Sequence, residues 1–159
     1  MLLAEDVASK FLEFSMRDAK YITPLKLQKL MYFAYGMYAK NHEKPLFDEC
    51  FQAWKNAPVL RTIFHKFKFF GRENIKDYGN NGRIVNLKEH GFIFETQMDK
   101  ETEELIEYVW NELKDVGVKK LSDWTRLNNS PWQKSYEENK NNPINFKEVK
   151  DYFTRILLF

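Results

Sequence analysis

The chain has 159 residues, the length of one ordinary domain, and its hydrophobic content of 43% and aromatic content of 16% exclude a disordered chain. Cys50 is the only cysteine, which excludes an intrachain disulfide and a thiolate metal cage. The net charge is only +2, no apolar run reaches the roughly 18 residues of a membrane span, and the N-terminus does not resemble a signal peptide. We therefore expect a soluble, cytoplasmic single domain over residues 1–159, with no membrane partner.

Charge is unevenly distributed along the chain. Residues 55–90 contain eight Lys or Arg and three Asp or Glu, whereas residues 99–115 contain seven Asp or Glu and two Lys. Such segments usually form solvated faces that can attract each other within the fold. The alternative is a charged docking surface for a partner.

Apolar periodicity predicts two N-terminal helices. The first is amphipathic and runs from Ala4 to about Met16. The second begins where Thr23 can cap it and Pro24 can occupy the first helical position, and it continues over Leu25 to about Lys40. Because this helix is apolar on nearly every side, we expect it to be the buried central helix. Its few polar side chains lie in the first turns and are Lys26, Gln28 and Lys29.

An extended segment and a third helix follow. Cys50 to Trp54 is predicted to be extended, and a third helix is predicted to start at Pro58 and to be stopped by Gly71. One side of this helix carries the apolar residues Val59, Ile63, Phe67 and Phe70. The opposite side carries a basic stripe with Lys66 adjacent, formed by Arg61, His65, Lys68 and Arg72.

The remaining sequence predicts further helices and a small β element. Turn signals favour a hairpin with strands at Arg83 to Leu87 and Phe92 to Glu95. Further helices are predicted over Met98 to Lys114, around Leu121 to Leu127, from Pro131, and after a capping Asn145. The predicted fold is mainly α: a single compact domain of about six helices around a buried central helix, with a small β element.

The sequence contains no recognisable catalytic or metal-binding pattern. Cys50 and the three histidines form no HxxxH or CxxC spacing, so no metal site is predicted. A nucleophile elbow and a glycine-rich phosphate loop are also absent from the sequence. We therefore expect a protein that is not an enzyme and has no cofactor.

The basic stripe is the constellation that most favours binding. Basic residues interleaved with aromatic ones can bind nucleic acid through phosphate contacts and stacking. Phe67 and Phe70 fall on the apolar side of the helix, however, so folding explains them better and nucleic acid is the weaker hypothesis. Trp124 and Trp132 are most simply core or rim residues, with a partner-facing role for Trp132 as the alternative.

Three separated segments, in the right order, resemble one family. They are Ile22-Thr-Pro-Leu-Lys-Leu-Gln-Lys-Leu-Met-Tyr-Phe-Ala-Tyr-Gly, then Pro45-Leu-Phe with Gln52-Ala-Trp and Ala57-Pro-Val, and last Leu121 to Thr125 with Ser130-Pro-Trp. Together they resemble the Panacea domain family of SocA-like antitoxins, also called phage-associated GepA-like proteins. Arg126 stands where the family has a histidine, so no role that requires an imidazole is expected there.

The resemblance implies a toxin–antitoxin role. Members of the family neutralise a cognate toxin by direct binding, and a SocA-like member delivers its toxin to an ATP-dependent protease as an adaptor. The leading hypothesis is a non-enzymatic antitoxin that binds and blocks a toxin encoded by the adjacent gene. A proteolytic adaptor and a nucleic-acid-binding regulator that uses the basic helix 58–72 are the alternatives.

The residues of interest fall into two groups. For partner binding we predict the surface residues Arg61, His65, Lys68, Arg72 and Trp132. As the structural motif that supports this surface we predict Thr23, Pro24, Lys26, Gln28, Lys29, Trp54, Pro58 and Trp124.

Overall fold

Helices form most of the chain that the computed structural model describes, which is residues 1–76 and 97–156. The α-helices are α1 Ala4–Asp18, α2 Pro24–His42, α3 Arg61–Phe67, α4 Lys100–Leu113, α5 Val118–Thr125, α6 Pro131–Ser135 and α7 Phe146–Arg155. The strands are β1 Gln52–Trp54, β2 Ala57–Val59 and β3 Asn142–Pro143. The predicted mainly α fold with a small β element is confirmed, with seven α-helices in the described part where about six were expected.

The central position of α2 is also confirmed. The Thr23 Oγ1 atom accepts a hydrogen bond from the Lys26 backbone N–H at 3.2 Å, and Pro24 occupies the first turn. The helix then packs against α1, α4, α5 and α7. Its residues from Leu27 to Tyr35 are at most 4% exposed. A helix enclosed on so many sides needs apolar side chains all round, which is the pattern in its sequence.

Aromatic side chains fill the space around α2. The ring centroid of Tyr32 lies 5.2 Å from that of Phe51 and 5.6 Å from that of Phe153, both in edge-to-face geometry. Gly36 lies one turn after Tyr32, and a Cβ atom there would lie 2.4 Å from carbons of the Phe153 ring. The missing side chain of Gly36 therefore allows α7 to approach α2 closely.

The substitution Gly36→Ala is expected to destabilise the protein by about 2 kcal/mol, because overpacking a rigid core costs about 1–3 kcal/mol. Alanine favours a helix by about 1 kcal/mol over glycine, which offsets only part of this cost. Chemical denaturation measures the change. Gly36→Ala should cost less in a Phe153→Leu background; an equal cost in both backgrounds would show that contact with Phe153 is not the cause.

The three strands form an antiparallel sheet in the order β2–β1–β3. Gln52 of β1 lies opposite Val59 on one side and Pro143 on the other. The predicted extended segment over Cys50 to Trp54 thus contains β1. The sheet ties the chain just before α7 to the β1–β2 hairpin. The second predicted hairpin, over residues 83–95, lies outside the described residues.

The predicted start of the third helix at Pro58 is wrong. Pro58 lies in β2, opposite Ala53 of β1. Because β2 is an edge strand, a residue without an N–H group is tolerated there. The helix begins three residues later, and the Glu49 carboxylate accepts a hydrogen bond from the Thr62 N–H at 3.2 Å. This carboxylate satisfies one of the free donors of the first turn.

The third helix is also shorter than predicted. It ends at Phe67 and continues as a 3₁₀ turn over Lys68–Phe70. Gly71 follows with a φ of 60°, in the left-handed region that favours glycine, so the predicted stop is confirmed. The apolar side of the helix is likewise confirmed, since Ile63, Phe67 and Phe70 are buried. The basic helix 58–72 therefore has α-helical structure only over Arg61–Phe67.

The C-terminal helices begin at polar caps. Asp99 caps α4, with its Oδ1 atom 2.8 Å from the Thr102 N–H that donates to it, and Ser130 and Asn145 cap α6 and α7 in the same way. The predicted helices over 98–114, from Pro131 and after Asn145 are confirmed within a few residues. The helix predicted around 121–127 begins earlier, at Val118, with Gly117 as its N-cap residue.

Candidate partner-binding surface

The basic residues predicted from the sequence are exposed, but they do not form one helical stripe. Arg61 and His65 lie one turn apart on α3, and the Arg61 Nε–H donates to His65 Nε2 at 3.4 Å. Lys68 lies in the 3₁₀ turn and Arg72 lies beyond Gly71. Because α3 ends before Lys68, α-helical spacing holds only for the first two. We call these four exposed residues the basic edge, since no single helical repeat relates them.

Three acids of the acidic segment pair with residues of α1 or just after it, and not with this basic edge. Glu103 of α4 lies 3.5 Å from Lys10 Nζ, and Glu107 pairs with Arg17. Asp115, just after α4, pairs with Lys20 at 3.0 Å. The expectation that the two oppositely charged segments attract each other is therefore not met by these acids.

Several cations of the basic segment have no acidic partner within 4.0 Å among the described residues. They are Lys55, Arg61, Lys68 and Arg72. Lys66 differs, because it pairs with Glu5 at 3.0 Å. The charge of the other four cations, Lys55, Arg61, Lys68 and Arg72, is therefore available to a partner.

A cavity of about 360 Å³ opens beside these cations. It lies where the N-terminal turns of α2, the β1–β2 hairpin and α3 meet, and its lining includes Leu25, Trp54, Phe64 and Lys68. Leu25 is 47% exposed and Phe64 is 39% exposed. No Asp or Glu lines the cavity within the described ranges 1–76 and 97–156. The cavity is therefore an apolar concavity with a positive rim.

Two tryptophans from different motifs meet at the hairpin. The Trp54 ring lies 4.8 Å from the Phe64 ring, and its indole N–H donates to Gln52 Oε1 at 2.8 Å. Trp132 donates its indole N–H to the Trp54 carbonyl oxygen at 2.7 Å and stacks on Tyr136. Trp132 is not among the described residues that line the cavity. The structure thus places Trp132 as a support for the hairpin and Trp54 at the cavity wall.

Gln28 holds the junction between β2 and α3. Its Oε1 atom accepts from the Leu60 N–H at 2.9 Å, and its Nε2 donates to the Leu60 carbonyl at 3.0 Å. Gln28 is 4% exposed and Leu60 is fully buried. The side-chain amide thus pairs with Leu60 as a neighbouring strand would. This explains why a glutamine occupies an otherwise apolar helix face.

The two lysines of the same motif have opposite environments. Lys26 Nζ donates to the carbonyl oxygens of Lys114 and Val116, at 2.5 and 2.8 Å, at the C-terminal end of α4. Lys29 is fully buried, and its Nζ has no hydrogen-bond partner among the described residues. Burial, with a smaller contribution from the positive charge of Arg126, lowers the pKa of Lys29 to about 8.

Trp124 fits the core or rim interpretation. Its ring lies 6.3 Å from the ring of Phe33 in edge-to-face geometry, and Lys120 Nζ lies 5.4 Å from its ring centre. It packs against the core at the contact between α2 and α5. This placement identifies Trp124 as a packing residue.

Sequence reasoning missed several residues that line the cavity, among them Leu25, Lys55 and Phe64. Phe64 lies three residues after Arg61 and four before Lys68, so helical spacing alone places an aromatic ring among the cations. Leu25 follows Pro24 and is off the buried side of α2. The positions of Leu25 and Phe64 in the sequence indicated their exposure, but the apolar helix faces beside them made both residues difficult to distinguish from core residues.

No group of three or more His, Cys, Asp or Glu side chains is arranged to hold a metal ion within residues 1–76 and 97–156. In the same part of the chain, no helix is long and apolar enough to cross a membrane.

An apolar concavity beside cations that have no acidic partner among the described residues, on a small helical domain, makes this protein a candidate protein-interaction module. The family model described as antitoxin SocA-like, Panacea domain, matches residues 27–133, about two thirds of the chain. The chain therefore belongs to the SocA-like antitoxin family with a Panacea domain. The resemblance noted in its three motifs is confirmed.

A curated relative supports the same assignment over a shorter stretch. The chain is similar to Antitoxin SocA of Caulobacter vibrioides (strain NA1000 / CB15N), with 39% identity over 54 residues. That stretch is 34% of this chain and 29% of SocA, so the match covers less than a third of the relative. No solved structure gave a significant match.

Proposed function

We propose that this protein is an antitoxin that neutralises a toxin by direct binding. It acts in the cytoplasm, by occupying its partner and not by catalysis, and the toxin is encoded by the adjacent gene. The observation that carries the proposal is the family match over residues 27–133. An apolar cavity beside cations that have no acidic partner in the described part of the chain supports it, since such a surface suits a protein partner.

Growth rescue tests the proposal. The neighbouring open reading frame is expressed from an inducible promoter, alone and together with this protein. Toxicity alone and normal growth on co-expression are expected. A harmless neighbour, or a toxic one that this protein does not counteract, contradicts the proposal.

Two measurements separate blocking from its alternatives. A toxin half-life that is unchanged by this protein supports blocking, whereas a half-life shortened only in the presence of an ATP-dependent protease would identify an adaptor. Steeply salt-dependent binding to its own promoter would instead identify a nucleic-acid-binding regulator. The short α3 offers this regulator only Arg61 and His65 of the predicted stripe, because its third basic residue, Lys66, pairs with Glu5.

Charge reversal at Arg61 and Lys68 is expected to weaken toxin binding at least about tenfold at low salt, and less at high salt, because rim charges act mainly on association. The matched control is the pair Lys119→Glu and Lys147→Glu, two exposed lysines on α5 and α7. Titration calorimetry gives the affinities and circular dichroism confirms folding. Equal affinities for the two double variants would remove Arg61 and Lys68 from the interface.

A further inference from the structure

We propose that the 360 Å³ cavity between α2, the β1–β2 hairpin and α3 is the docking site for a toxin segment that carries an apolar side chain next to Asp or Glu. This inference rests on the proposed function and goes beyond it by naming the site and the chemistry of the segment that fills it. Three features of the cavity define this segment: its exposed apolar side chains, its cations and its rigid wall.

The apolar side chain of the toxin segment is inferred from two exposed side chains of this protein that converge on one cavity. Leu25 is 47% exposed and Phe64 is 39% exposed, although they come from different helices. Covering both with an apolar side chain removes their carbon surface from water, which is the dominant favourable term in protein association. Small-ligand cavities range from about 300 to 1,000 Å³. A cavity at the lower end of this range fits one or two anchoring side chains of a segment.

The Asp or Glu of the toxin segment is inferred from charge complementarity with the cations of the cavity. Lys55 and Lys68 line the cavity, and neither has an acidic partner among the described residues. Arg61 and Arg72, on the neighbouring edge, also have none there. No described carboxylate lines the cavity to compete for these cations. A partner carboxylate at the rim would therefore meet unpaired positive charge, which favours acidic segments and disfavours basic ones.

The cavity wall is held in place before any partner arrives. Two hydrogen bonds from Gln28 fix Leu60 at the start of α3, and Trp132 holds the carbonyl of Trp54. Trp54 in turn packs against Phe64 at 4.8 Å. A preformed wall reduces the ordering cost of binding. The site therefore suits a segment that orders on a rigid surface.

The test compares Leu25→Glu with Leu127→Glu. The two leucines are 47% and 49% exposed, and only Leu25 lines the cavity. A carboxylate in the first turn of α2 favours the helix, so Leu25→Glu is expected to remain folded. The probe is the purified product of the neighbouring open reading frame. We expect Leu25→Glu to weaken its binding by about thirtyfold or more, as for an interface hot spot, and Leu127→Glu to leave it unchanged.

Photo-crosslinking then identifies the segment. A benzoylphenylalanine placed at position 64 is expected to crosslink to a toxin peptide with Asp or Glu within a few residues of the reacting site, and replacing those acids with Lys should abolish binding. The same group at position 127 should not crosslink.

Each outcome bears on one of the two proposals. If the wild-type protein binds the neighbour and Leu25→Glu binds it equally well, the docking site is overturned while the antitoxin role stands. A crosslink to a basic segment, or to a second copy of this chain, also overturns the docking site. If the wild-type protein does not bind the neighbour at all, both proposals fail together.

Discussion

Replacing Lys29 with methionine is expected to stabilise the protein by about 3 kcal/mol at neutral pH, since its pKa falls from 10.5 to about 8 and each unit corresponds to about 1.4 kcal/mol. Lys29 is fully buried in α2 and its Nζ has no hydrogen-bond partner among the described residues. The folded state therefore carries an uncompensated charge that methionine, of similar length, removes. Urea denaturation at pH 7 measures the difference.

The pH dependence of stability provides a second test of the buried Lys29 amine. Below about pH 8 the amine is charged in both states, and the folded state bears the full penalty. Between pH 8 and 10.5 the unfolded chain binds more protons, so the free energy of unfolding should rise with pH. Burial raises the pKa values of Tyr32 and Tyr35, which lowers stability above about pH 10. The rise is best measured from pH 7.5 to 9.5, and Lys29→Met should lose most of it.

Lys26 provides the matched control. It lies one turn before Lys29 on the same helix, but its amine donates to two carbonyl oxygens at the end of α4. Lys26→Met removes these two hydrogen bonds together with the buried charge, so it is expected to change stability by about 1 kcal/mol or less, well short of the gain from Lys29→Met. Burial also lowers the pKa of Lys26, so a smaller rise with pH should remain in Lys29→Met. Destabilisation by both substitutions would show that the Lys29 amine is stabilised in the fold.

Replacing Gln28 with methionine is expected to destabilise the protein by about 3 kcal/mol, because an unsatisfied buried polar group costs about 1–3 kcal/mol and two are created. The two groups are the N–H and C=O of Leu60, which is fully buried. Methionine retains the volume of the side chain, so the loss reports the hydrogen bonds. Thermal and urea denaturation measure it.

Gln133→Met is the control for this substitution. Gln133 also bonds to backbone, with its Oε1 accepting from the Asn129 N–H at 2.6 Å, but it is exposed and water can replace it. We expect a change of about 0.5 kcal/mol or less, as for most surface substitutions. Similar losses for Gln28→Met and Gln133→Met would contradict the bridging role of Gln28.

The Gln28 contact connects the family motif to the candidate site. Gln28 fixes Leu60, and Leu60 directly precedes α3, which carries Arg61, Phe64 and one wall of the cavity. Gln28→Met is therefore expected to weaken toxin binding as well as stability. The sequence separates the motif that forms the scaffold from the surface that binds, whereas in the structure Pro24, Gln28 and Trp54 of the motif line the cavity.

Elements whose start or end depends on a few neighbouring residues could be predicted before the structure was known. Thr23 and Pro24 start the central helix, Asn145 starts α7 and Gly71 ends the third helical region, each as predicted. These features depend on capping and on backbone conformations that a few neighbouring residues decide. Family membership also followed from the sequence, because three motifs kept their order.

Features that depend on distant residues could not be predicted, because they follow from which segments pack together. Pro58 belongs to a strand and not to a helix because Gln52–Trp54 pairs with its segment. The sequence does not distinguish Lys26 from Lys29. In the structure Lys26 donates to a carbonyl at the end of α4, whereas the buried Lys29 amine has no hydrogen-bond partner among the described residues. The cavity is lined by residues between 24 and 71 that come from α2, the β1–β2 hairpin and the third helical region. Its lysines have no acidic partner among the described residues, while Glu103 and Glu107 of α4 pair with α1. Pairing, burial and cavity shape depend on which segments pack together, and local sequence signals do not specify that.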